Sequence, residues 1–181
     1  MAQSFIEGQL TFDFPDAWQI CRLGETSYYQ RHFQSFCLVS KGDGGCKEVD
    51  FLAFDPNALV LWFVEVKDYR IQQRTKPIDL ADEVALKIRD SLALLRAAPV
   101  RDSAQPAGGR IPAGNFARAS IPATSLRVIL HCELPANPSK LFPGVKDTAN
   151  LQQKISTKLR QIDPHALIVD RNSNKVPWAV R

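Results

Sequence analysis

The sequence predicts an α/β fold, a central mixed β-sheet flanked by helices. Three observations predict it. Residues 46–54 and 59–67 form two strand-like runs around the turn sequence DPNA; residues 79–97 carry apolar side chains at helical spacing; and a strand, a helix and a short strand follow at 125–134, 147–162 and 166–171. The chain has 181 residues, of which 45% are apolar and 23% charged, enough for one well-packed domain over 1–181 and short for two.

In chain order, residues 16–36 lack proline and place aromatics at Trp18, Tyr28, Tyr29, Phe33 and Phe36, which predicts a helix with a break at Gly24. KGDGG at 41–45 is a turn. In CKEVDFLAF, Val49, Phe51 and Ala53 share one face while Glu48, Asp50, Leu52 and Phe54 share the other. A loop closing around Asn57 and Ala58 sets Asp50 opposite Glu65; a tighter one at 56 and 57 sets it opposite Phe63. The apolar run Leu59–Val64 then passes into Glu65-Val66-Lys67, with both charges on one side of the strand. Leu80, Val84, Ile88, Leu92 and Leu95 make the stripe of the next helix, with Lys87 at its edge. Residues 99–122 are rich in Pro, Gly, Ala and Arg without periodicity and predict a flexible surface loop.

Net charge is +4, a mild excess that favours a polyanionic partner, with Arg101, Arg110, Arg118 and Arg127 set against Asp102 in one region. No apolar run approaches the ~20 residues needed to span a bilayer, and the first residues do not resemble a secretion signal, so a cytoplasmic protein is expected. Cys21, Cys37, Cys46 and Cys132 lack metal-type spacing and suit reduced thiols. His32, His131 and His165 are dispersed, as structural or surface histidines are. Neither a Gly-x-Ser-x-Gly elbow nor a Gly-x-x-x-x-Gly-Lys loop is present, which leaves serine hydrolases and nucleotide-driven motors without support.

Asp50, fourteen residues and then Glu65-Val66-Lys67 on adjacent strands resembles the PD-(D/E)xK nuclease superfamily, the restriction-endonuclease-like fold. Val49 stands where that motif has its proline. The resemblance implies a metal-dependent nuclease that hydrolyses phosphodiester bonds, with DNA preferred over RNA. Asp50, Glu65 and the Val66 carbonyl would hold Mg2+, with Mn2+ as a substitute and Glu25, less readily Gln30, as a further acid; Lys67 would assist the attacking water. Glu48, Gln73 and Lys87 are weaker candidates around that centre. Lys87, Arg101, Arg110 and Arg118 are the expected nucleic-acid contacts. The alternative is a non-catalytic nucleic-acid-binding or assembly subunit of the same fold, working with a partner protein or as a homodimer.

Overall fold

The computed structural model describes residues 2–34, 46–70, 74–102, 111–135 and 147–181. A hairpin of β1 (Gln3–Glu7) and β2 (Leu10–Phe14) turns at Gly8, whose φ of 59° suits a residue without a Cβ. Leu10, Phe12 and Phe14 are fully buried while Thr11 and Asp13 point outward, a clean period-two strand. With β8 (Ala179–Val180) these strands form a three-stranded antiparallel sheet ordered β1-β2-β8.

The larger sheet has five strands in the order β3-β4-β5-β6-β7, made of β3 (Gln19–Cys21), β4 (Phe51–Asp55), β5 (Val60–Asp68), β6 (Ser125–Glu133) and β7 (Leu167–Val169). Its first three strands pair antiparallel and its last three parallel, so the expected mixed sheet is present. Among the described residues the helices are α1 (Ser27–His32), α2 (Leu80–Arg101), α3 (Ala113–Ser120) and α4 (Thr148–Lys158).

Two cores explain the unbroken apolar run of β5. Leu61 and Phe63 pack with Leu52 and Phe54 into a core that includes Val84, Ile88, Phe116 and Ile155 from the helices. Val64, on the opposite side, packs with Phe51, Phe12, Phe14 and Trp178 of the smaller sheet and its surroundings. A strand covered on both faces has no solvent side on which to alternate. The flanking layers are therefore helices on one side and a three-stranded sheet on the other.

The helix expected over 16–36 is replaced by β3, a 3-10 turn at Leu23–Glu25 and the single short helix α1. Edge pairing of Gln19, Ile20 and Cys21 with Phe54, Ala53 and Leu52 outweighs weak local propensity. The strand expected from residue 46 begins at Phe51, because Lys47 and Val49 donate their backbone N–H groups to Asp90 and Ser91 of α2 instead of to a strand. Helix α2 runs past Pro99 to Arg101, since a proline in the last turn removes little of the helix ladder. Within the expected 99–122 loop, α3 forms and buries Phe116; residues 103–110, like the KGDGG turn, lie outside the described residues. Cys21 and Cys132 are free and buried as expected, whereas Cys46 is disulfide-bonded. Among the described residues no helix is long and apolar enough to cross a membrane.

Candidate functional site

The β4–β5 register pairs Phe51 with Val64 and Asp55 with Val60, leaving a four-residue loop at 56–59. One step further along, Asp50 comes opposite Glu65, the wider-loop alternative. Asp50 has left the ladder, and its side chain replaces the backbone partner: Oδ2 accepts the Val66 N–H at 2.6 Å. Both acids lie on the α2 side of the sheet, as do Leu52 and Phe63 next to them.

Glu65 has no exposed surface. Its Oε1 lies 2.7 Å from the Lys67 ammonium and 2.7 Å from that of Lys87, and Oε2 accepts from Lys87 at 2.9 Å. The Lys87 nitrogen is also 3.9 Å from Asp50 Oδ1. Burial, then the charge of Asp50, push the Glu65 carboxyl well above the usual carboxylate range, against the pull of Lys87 and Lys67. Burial works to lower Lys67, but Glu65 and Glu83 outweigh it, so its ammonium is held more firmly than that of a free lysine.

Glu83, in the first turn of α2, is not among the residues the sequence singles out, and it completes the cluster. It accepts from Lys67 at 3.0 Å, Arg74 at 2.9 Å and Lys76 at 2.7 Å. Burial works to raise its carboxyl, but hydrogen bonds and charge from Lys76, Lys67 and Arg74 bring it down to about 2. Its place in the helix offered a signal: Glu83 precedes Lys87 by four residues, one turn apart on a single face. Four cations thus meet three carboxylates where two strand ends approach the start of α2.

Other expected site residues have partners of their own. Glu25 pairs with Arg22 at 2.5 Å, and the same guanidinium binds Glu7 of β1. Burial raises the Glu7 carboxyl, Asp50 adds to the rise, and Arg22 and Lys87 oppose it. Gln30 donates to the Gly24 carbonyl at 3.3 Å, and Glu48 lies against Gly24 and Tyr29. Arg101 ends α2, fourteen residues beyond Lys87 and so ~21 Å along the helix axis. Arg118 bonds the Pro99 carbonyl and Asn115 at that same end. Arg110 and Gln73 lie outside the described residues. His131 is buried beside Phe12, with Glu133 on its Nε2, as a structural histidine. No group of three or more His, Cys, Asp or Glu side chains among the described residues is arranged to hold a metal ion.

No family model matches the chain, and no solved structure matches it. A cysteine–tRNA ligase of Neisseria meningitidis serogroup A / serotype 4A is 31% identical over 170 residues, a match covering 80% of this chain and 23% of the ligase. The chain therefore spans less than a quarter of that relative's length.

This likeness overturns the expected DNA nuclease. The relative is a tRNA ligase, so the hydrolase and endonuclease reading is withdrawn, together with the preference for DNA. Physically, the acid-acid-lysine spacing that suggested cleavage is occupied by an ion-pair network joining β5 to α2.

Proposed function

We propose that the protein binds RNA, with tRNA as its partner, in a role related to aminoacyl-tRNA ligases. The observation that carries this reading is the 31% identity with a portion of a cysteine–tRNA ligase. The cluster chemistry supports binding over proton transfer. Lys67 is kept as an ammonium by Glu65 and Glu83, so it offers positive charge and N–H donors rather than a free lone pair. The +4 net charge gives such a module long-range attraction to RNA phosphates.

Asp50 and Glu65 fit one hard cation, because the Lys87 ammonium already stands within reach of both carboxylates and marks a place they share. A divalent ion held there by Asp50 and Glu65 would bring concentrated positive charge to a phosphate oxygen. The reading is tested by titrating labelled tRNA and duplex DNA of matched length at one salt concentration. Binding of tRNA at least about tenfold tighter than DNA is expected, a difference of about 1.4 kcal/mol; equal affinity, or no binding of either, overturns it.

A further inference from the structure

We propose that Arg74 and Lys76, gathered with Lys67 around Glu83, form a contact site for the backbone phosphates of RNA. The inference rests on the RNA reading above and adds the atoms that meet the partner.

Three cations share a single carboxylate. Lys67 and Lys76 both place their ammonium nitrogens on Glu83 Oε1, at 3.0 and 2.7 Å, and Arg74 Nη2 takes Oε2 at 2.9 Å. Lys67 is balanced in turn by Glu65, and the one negative charge of Glu83 still faces two further positive ones, Arg74 and Lys76. If the role were only to fasten the segment before α2 to the helix, one lysine or arginine would suffice. The surplus charge is also accessible: the Lys76 side chain is 61% exposed, so its ammonium has N–H groups free to meet a ligand oxygen. Arg74 is 14% exposed and spends one N–H of Nη1 on the Lys76 carbonyl at 2.5 Å and one of Nη2 on Glu83, leaving the second N–H of each for a phosphate oxygen, while its Nε is a buried donor with no hydrogen-bond acceptor among the described residues. Glu83 organises this trio. By drawing the three heads onto one carboxylate it removes much of the rotamer freedom that long basic side chains otherwise lose on binding.

The alternative is a self-contained salt-bridge cluster whose charges never meet a ligand. The two differ in salt dependence. Removing one phosphate contact lowers the magnitude of the log-affinity against log-salt slope by ~0.7–0.9.

The full chain is titrated with labelled tRNA and with oligo-dT across a potassium chloride series, as parent, Lys76→Gln, Arg74→Gln and the double variant. We expect Lys76→Gln to flatten the slope by ~0.7–0.9 and the double by about twice that, on both polymers, because phosphate contacts ignore the sugar. An unchanged slope in Lys76→Gln, with the parental circular dichroism and melting point, overturns the proposal. Should the double variant fold poorly, Lys76→Gln decides alone, its side chain being mostly in solvent. A parent that holds oligo-dT as tightly as tRNA, with a flatter slope in the variants, refutes the RNA reading and leaves the phosphate contacts standing. A parent that binds neither polymer overturns both.

Discussion

The Lys87 ammonium stands 2.7 Å from Glu65 Oε1 and 3.9 Å from Asp50 Oδ1, so one cation of α2 serves a carboxylate of β5 and another just before β4. Because Glu65 is without solvent contact, this pairing governs both the stability of the cluster and its appetite for other cations.

Breaking the pair from the lysine side is expected to be costly. Lys87→Met strands a buried carboxylate with Lys67 alone, and a loss of about 2–3 kcal/mol is expected, below the ~3–5 kcal/mol for an ion stripped of every partner. Glu65→Gln removes the charge while keeping the shape, and in that background Lys87→Met should cost clearly less. Urea denaturation of the four proteins measures the coupling. Strictly additive losses would show that the pairing contributes nothing.

The acid limb of stability should report Glu83. Its carboxyl sits at about 2 in the fold against an ordinary 4.5, so its contribution is present in full above about 4.5 and drains away as pH falls toward about 2. Glu65 acts with the opposite sign: its raised carboxyl makes the fold hold a proton more tightly than the open chain, so its contribution declines as pH rises above 4.5. Thermal melts of parent and Glu83→Gln from acid to neutral pH should show a shallower acid loss in the variant. Parallel profiles would mean the three cations give Glu83 no net stabilisation.

The pairing of β4 with β5, the α2 stripe and the strand–helix–strand end of the chain were legible because each carries a local signal: Leu80, Val84 and Ile88 the period of a helix, and the apolar run before Glu65 the composition of a doubly covered strand. No element was expected at β1 and β2, although Leu10, Phe12 and Phe14 carry a plain period of two; what they cover, the outer face of β4 and β5, emerges only from the tertiary fold. Asp50 and Glu65 were brought together by a register the loop length restricts to two choices. Glu83 was not singled out because its partners come from separate stretches, Lys67 from a strand and Arg74 and Lys76 from a connection without periodicity. Edge pairing of β3 left no local mark, since Gln19, Ile20 and Cys21 suit a helix about as well.

Gly114 should tolerate no side chain. A Cβ there would lie 2.1 Å from the Asp102 carbonyl oxygen and 3.1 Å from that of Ala98, both backbone atoms at the end of α2. Asp102 also takes the Gly114 N–H on Oδ2 at 3.0 Å, which pins the two helices at this spot. Gly114→Ala is therefore expected to cost about 3 kcal/mol, at the upper end of overpacking losses. Gly8→Ala provides the comparison: nothing lies within 4 Å of its Cβ, and only the φ of 59° opposes it, for about 1 kcal/mol. A Gly114→Ala protein as stable as Gly8→Ala would contradict the close approach of α3 to α2.

The proposed cation position makes the most discriminating forecast, because Lys87 and a divalent ion compete for the same oxygens. Asp50 spends Oδ2 on the Val66 N–H and turns Oδ1 toward Lys87, while both Glu65 oxygens touch ammonium groups. An entering ion must displace Lys87, and Lys87→Met removes that competitor while keeping most of the apolar stem. Calorimetric titration with magnesium and then manganese should show tighter binding to Lys87→Met than to the parent, by about tenfold if the displaced pair opposed entry by about 1.4 kcal/mol. Asp50→Asn should abolish the heat, though its amide oxygen can still accept the Val66 N–H, so the fold should survive and the loss can be assigned to the missing charge. If Lys87→Met takes up neither ion, the carboxylates serve the lysines alone and the divalent site is refuted, whatever the RNA titrations show.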